Sequence, residues 1–221
     1  MNKIHLAILA NENPDDHILW VQACNRTGSN ISYEIIDLTK HSWLENIINS
    51  KALYFLSRPP GISTLYKQLY DERLYIISEV LKLPVYPKYE ECIIYENKRF
   101  LSSWLKANHI PHPETWIFYN KKDAIDFINK SSFPVVAKVN IGASGSGIYV
   151  LHSKNEALNY ILRTFEGKGA PKRWGPNFEK GNLLGRGIHY LKTPSDILKK
   201  LKNYKTKKNE VQKGFILIQE F

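Results

Sequence analysis

Three short apolar runs, Ile4–Ala10, Ile31–Leu38 and Ala52–Leu56, alternate with stretches of helical period in the first 90 residues. Runs this short read as buried strands. Between them, Ile18 and Val21, with Gln22, form one face of a predicted helix that Asp15 or Asp16 would cap. His41–Asn49 fits a second, short helix. Arg58-Pro59-Pro60-Gly61 cannot continue the third strand. Ser63 or Thr64 then caps a long helix to about Leu81, with Leu65, Leu69, Ile76 and Val80 at helical spacing. Pro84-Val85-Tyr86-Pro87 is a short extended piece. Strand and helix in this alternation predict a parallel, doubly wound α/β sheet, which binds ligands at the carboxyl ends of its strands. The first strand runs into Asn11-Glu12-Asn13-Pro14 rather than a glycine-rich turn, which argues against a dinucleotide site.

From residue 91 the pattern changes to α+β with antiparallel pairs, so the boundary is drawn near 90, giving domains 1–90 and 91–221. Helices are predicted over Glu96–Asn108, Lys121–Asn129 and Asn155–Thr164, and strands over Thr115–Tyr119, Phe133–Val139, Ile148–His152 and Phe215–Gln219. In the first of these helices Phe100, Leu101, Trp104 and Leu105 share a face. Thr193-Pro194-Ser195-Asp196 adds a capped helix start near 194–204.

The net charge of +10 is local. Residues 163–214 hold 14 Lys+Arg against 4 Asp+Glu, and the remainder holds 17 of each. A basic insertion on a neutral body therefore describes this chain better than a basic protein does. The apolar runs fall far short of the roughly 20 residues of a spanning helix, so no membrane partner is expected. Two cysteines, Cys24 and Cys92, build no disulfide framework and fit a reducing cytoplasmic setting. His109 and His112 read as polar loop residues, and Trp174 as a residue of the insertion able to meet a ligand.

The most informative stretch is Lys138-Val139-Asn140-Ile141-Gly142-Ala143-Ser144-Gly145-Ser146-Gly147, set between two apolar strands. It is longer than a hairpin turn needs. Successive Gly and Ser amides can wrap an anion, and Lys138 stands just before them. A Walker loop would place the lysine after the glycines and lead into a helix; a kinase loop also has its lysine later. A flexible hairpin with a snorkelling lysine is the blander alternative.

The order strand, lysine, Gly/Ser loop, strand resembles the ATP-grasp phosphate loop. Two further stretches extend the likeness. Tyr95-Glu96-Asn97-Lys98-Arg99-Phe100, followed by Ile110-Pro111-His112-Pro113-Glu114-Thr115, resembles the opening of the ATP-grasp region. Phe215-Ile216-Leu217-Ile218-Gln219-Glu220-Phe221 resembles the strand entering the hinge between its two lobes. The group in question includes D-alanine–D-alanine ligase, glutathione synthetase and the ribosomal-protein glutamate ligases. The resemblance implies a Rossmann-like domain ahead of a nucleotide-binding lobe that stops at the hinge.

It also implies ATP and Mg2+, a carboxylate activated as an acyl phosphate, and an attacking amine or other nucleophile. Lys98 and Lys138 would meet the α- and β-phosphates, and the amides of Ser144, Gly145 and Ser146 would close over the β/γ end. Gln219, Glu220 and Phe221 would line the adenine. Metal ligands are expected beyond Phe221, so the chain alone is expected to lack catalytic competence; none of its own residues is assigned to metal or catalysis. Arg58, at the carboxyl end of the third strand, is a candidate clamp for the carboxylate substrate, beside the reading of an exposed loop arginine. Two rivals stand next to the ligase: an ATP-grasp phosphotransferase, and a nucleic-acid or anionic-polymer binder acting through 163–214. The same segment could instead favour an acidic substrate, and a homodimer is common in such a family.

Overall fold

The structure, a computed structural model, describes residues 4–28, 30–61, 63–142, 147–170 and 211–221. Contacts divide the chain into two compact units, Met1–Leu101 and Ser102–Phe221. The sequence draws its boundary near 90; contacts draw it inside a helix.

In the first unit the apolar runs become strands β1 (Ile4–Ala10), β2 (Ile31–Asp37) and β3 (Tyr54–Leu56). Pro84–Pro87 contributes more than a linker, because Val85–Tyr86 pairs with β3 as β4. The sheet order is β2-β1-β3-β4, parallel throughout. Helices α1 (Pro14–Thr27), α2 (Trp43–Asn49) and α3 (Thr64–Tyr75) make the crossovers. A π turn, Ile76–Val80, extends α3, and α4 (Tyr89–Ile94), which the sequence reading did not foresee, follows β4. Alternation along β1 sends Ala7 and Leu9 to one face, where they join Ile36, Phe55, Ile47, Tyr70 and Leu74 in the core. Ile8 and Ala10, also buried, point to the opposite face, against α1.

The start of α1 departs from expectation. Asn13, not Asp15 or Asp16, is the cap: its side-chain oxygen accepts from the Asp15 amide at 3.4 Å, and Pro14 takes the first helical position. Proline has no amide to leave unsatisfied there, and the two aspartates fall in the first turn, where negative charge suits the helix end. The inward face also differs. Ile18 is 41% exposed and Gln22 is exposed, whereas Cys24 is buried. The Trp20 indole donates to the Ser57 carbonyl at 3.1 Å and so turns the helix toward β3.

The second unit carries β5 (Thr115–Phe118), α6 (Lys121–Lys130), β6 (Val135–Lys138), β7 (Ile148–Leu151), α7 (Lys154–Phe165) and β8 (Ile216–Glu220). Helix α5 (Lys98–Ala107) begins in the first unit and ends in the second. Asn120 and Ser153 cap α6 and α7 by accepting from backbone amides two or three residues on. The sheet order is β5-β8-β6-β7, antiparallel throughout, so the last strand in sequence lies in the middle. One face, with Val135, Ala137, Ile216 and Ile218, is buried against Ala124, Ile128, Ala157 and Ile161 of α6 and α7. Fully burying a valine or isoleucine side chain here contributes about 1.5–3 kcal/mol.

Chain leaving α7 and chain entering β8 meet. The Ala170 amide donates to the Gln212 carbonyl at 2.8 Å. Gly169 has φ +72, and a Cβ there would lie 2.1 Å from Val211. The predicted helix near 194–204 and Trp174 lie outside the described residues.

Candidate functional site

Strand parity defines a second face on the antiparallel sheet. Lys138 and Val136 of β6 share it with Leu217 and Gln219 of β8 and with Thr115 and Ile117 of β5. The Lys138 ammonium donates to the Gln219 side-chain oxygen, and the Gln219 amide nitrogen donates to Thr115 Oγ1 at 2.8 Å. Two residues read separately from the sequence as phosphate and adenine neighbours thus meet on one face of one sheet. Thr115, which links them to β5, was read from sequence as the end of the Ile-Pro element and the start of a strand, not as a site residue.

The base of the glycine loop lies at the end of that face. The Val139 amide donates to the Gly147 carbonyl at 2.9 Å, closing the loop. Gly147 has φ +94, and a Cβ there would lie 2.2 Å from a Val139 methyl, so only glycine fits. The Asn140 amide donates to Gln212 Oε1 at 2.6 Å, and Gln212 Nε2 donates to the Phe215 carbonyl at 3.0 Å. Gln212 therefore ties the loop to the start of β8. Ser144, Gly145 and Ser146 lie outside the described residues. The Glu220 amide donates to the Glu114 carbonyl at 3.0 Å, so that amide serves the sheet; Phe221 is 77% exposed.

Lys98 and Arg58 belong to the first unit. Lys98 opens α5, with its ammonium 3.3 Å from Glu96 Oε2. Arg58 follows β3 where the sheet order reverses: β1 connects outward to β2, and β3 to β4. The Asn11 side chain bridges this point, donating to the Arg58 carbonyl and to Asp16 Oδ2, each at 3.1 Å. Burial raises the Asp16 carboxyl above its ordinary value. A cavity of about 490 Å3 opens beside it within the first unit. Leu19, Trp20, Ala23, Pro59 and Pro87 form its apolar walls, and Arg58, Glu91, Cys92 and Tyr95 border it.

One buried pair escaped the sequence reading. Lys67 is 1% exposed, its ammonium 2.5 Å from both Asp71 oxygens and 3.3 and 3.5 Å from the Cys92 and Ile93 carbonyls. A cation at the carboxyl end of α4 meets the negative helix pole. Burial pushes the Asp71 carboxyl up to about 6 against the pull of the ammonium, and it lowers Lys67. The i,i+4 spacing was the available signal.

The fold, a doubly wound domain leading into an antiparallel sheet backed by two helices, is one that solved ATP-grasp structures share. No protein-family model and no curated protein sequence matches the chain. Among solved structures, it is similar to a RimK domain ATP-grasp protein from Sphaerobacter thermophilus (14% identity, TM-score 0.53), covering 98% of this chain and 63% of that one. It is similar to D-alanyl-alanine synthetase A from Vibrio cholerae (12% identity, TM-score 0.53), covering 100% of this chain and 60% of that one. Phosphoribosylamine–glycine ligase from Thermotoga maritima matches at 14% identity and TM-score 0.50 over 99% of this chain and 44% of that one. The chain thus spans less than two thirds of the length of these structures.

Proposed function

We propose that the chain is the nucleotide-binding part of an ATP-dependent carboxylate–amine ligase. The observation that carries this reading is the junction of Lys138, Gln219 and the glycine-loop base on one sheet face. These residues fit a polyphosphate: a lysine stands where the loop begins, and the loop closes against Val139 so tightly at Gly147 that no side chain fits there. When bound, ATP would supply the phosphoryl group that activates a carboxylate as an acyl phosphate for attack by an amine. Lys138, and Lys98 at the start of α5, would neutralise charge on the phosphates. Glu220, through its carbonyl, and Phe221 would hold the adenine with Gln219 beside them, since the Glu220 amide is given to the Glu114 carbonyl. Arg58 would hold the acid through parallel hydrogen bonds. Among the described residues no group of three or more His, Cys, Asp or Glu is placed to hold a metal ion, and no step is assigned to magnesium.

The test is thermal unfolding of the 221-residue chain with and without millimolar ATP. ATP should raise the midpoint, and Lys138→Met should weaken the apparent ATP affinity about tenfold or more, the worth of one charge-assisted contact. An unchanged midpoint with ATP refutes the reading.

A further inference from the structure

The cavity of the first unit has a size within the range of small-molecule sites and walls that are mostly apolar. It sits at the sheet's switch point, where parallel sheets take ligands. One wall is held rigidly, because the Trp20 indole is anchored on the Ser57 carbonyl and packs edge-on against Tyr86 at 6.0 Å. The charged groups around it are committed unequally. Glu91 serves the first turn of α4, accepting from the Lys88 amide at 2.8 Å. Asp16 accepts from Asn11 at 3.1 Å and stands 3.9 Å from Arg58 Nε, beyond hydrogen-bond length. The Arg58 side chain is 40% exposed, and its five N–H donors exceed what Asp16 and the Tyr95 hydroxyl take up.

We propose that this cavity binds an amphipathic acid: a bulky, preferably aromatic body lies against Leu19, Trp20 and Ala23, and its carboxylate is held by Arg58. An apolar wall beside a single under-committed cation selects that combination, since a small polar acid leaves the wall wet and a neutral aromatic leaves the guanidinium unmatched. The proposal rests on the ligase reading only in making this acid the carboxylate to be activated.

The experiment is calorimetric titration of the 221-residue chain with indole-3-acetate, indole-3-acetamide and acetate. Indole-3-acetate should bind at least tenfold more tightly than either of the others. Arg58→Gln should erase the preference for acid over amide. Ala23→Trp, at an exposed position, should fill the cavity and abolish binding with the circular dichroism spectrum unchanged. Leu19→Ser, at a residue 56% exposed, provides a second variant that should weaken acid and amide alike. Equal binding of acid and amide, equal binding of acetate, or binding unaffected by both wall variants overturns the proposal. An ATP-dependent rise in unfolding midpoint without indole-3-acetate binding removes the cavity's ligand and leaves the ligase reading standing. Indole-3-acetate binding without an ATP response supports the ligand and removes the ligase reading.

Discussion

Two lysines, one in each unit, divide the work of positive charge in this chain. Lys67 lies beneath α4, held by a carboxylate and two helix-end carbonyls, and is 1% exposed. Lys138 lies on a sheet face that α6 and α7 leave uncovered and donates to the neutral amide of Gln219. A cation surrounded by formal and partial negative charge is structural, because its field is spent locally. Lys138, set beside a threonine, a glutamine and the base of a glycine loop, is the cation proposed to meet an incoming anion. The same residue type thus reads differently by what the surrounding elements aim at it.

The largest effect should come from breaking the structural lysine. Lys67→Met strands the buried Asp71 and should cost about 3–5 kcal/mol in urea unfolding, whereas Lys67→Met with Asp71→Leu should recover most of it. A single variant as stable as the parent would show that the pair carries no weight.

Next comes the loop beside Lys138. Gly147→Ala places a methyl carbon where Val139 already is and should cost about 2–3 kcal/mol together with the ATP response. Gly28→Ala, with φ +83 and ψ −156 but no atom within 4 Å of the added carbon, should cost less, about 1–2 kcal/mol from backbone strain alone. Equal losses at the two glycines would mean that backbone strain, not close approach, is what Gly147 relieves.

A smaller effect is the pH dependence of the Lys67–Asp71 pair. The Asp71 carboxyl stands at about 6 in the fold against an ordinary 3.8. A carboxyl raised on folding binds its proton more tightly in the native state. Its stabilising contribution is therefore complete below pH 3.8 and is lost as pH rises through about 6. Relative to Asp71→Asn, the parent should lose stability across that window, by about 3 kcal/mol at most. The opposite slope would show that the ammonium's attraction outweighs burial.

The alternation of strands and helices was legible because short apolar runs bounded by Pro, Gly and Asn admit few alternatives. Ser63 caps α3 as its spacing predicts, its hydroxyl accepting from the Tyr66 amide at 3.5 Å. The inward face of α1 was misread because Ile18 is apolar yet exposed; an indole-to-carbonyl bond across 37 residues decides the rotation. β4 was read only as a short extended piece, and α4 was missed, for a different reason. Two residues of strand and six of helix carry too little periodicity to register. At the site, Lys138 and the loop announced themselves by order along the chain. Gln212 and Thr115 did not, since glutamine and threonine have no distinguishing local pattern and act through partners 72 and 104 residues away. Lys67 sat among apolar neighbours at helical spacing, and a lysine in such a stretch reads as surface until its burial is seen.

The bond between Ala170 and Gln212 has a consequence for how the chain can change. Both ends of the segment between them are held together at one point on the second unit. By chain entropy alone, doubling the length between two fixed ends costs only about 0.6 kcal/mol. Most of the protein's net charge lies between those two closed ends, so residues that carry charge can be added there at little cost in closure entropy.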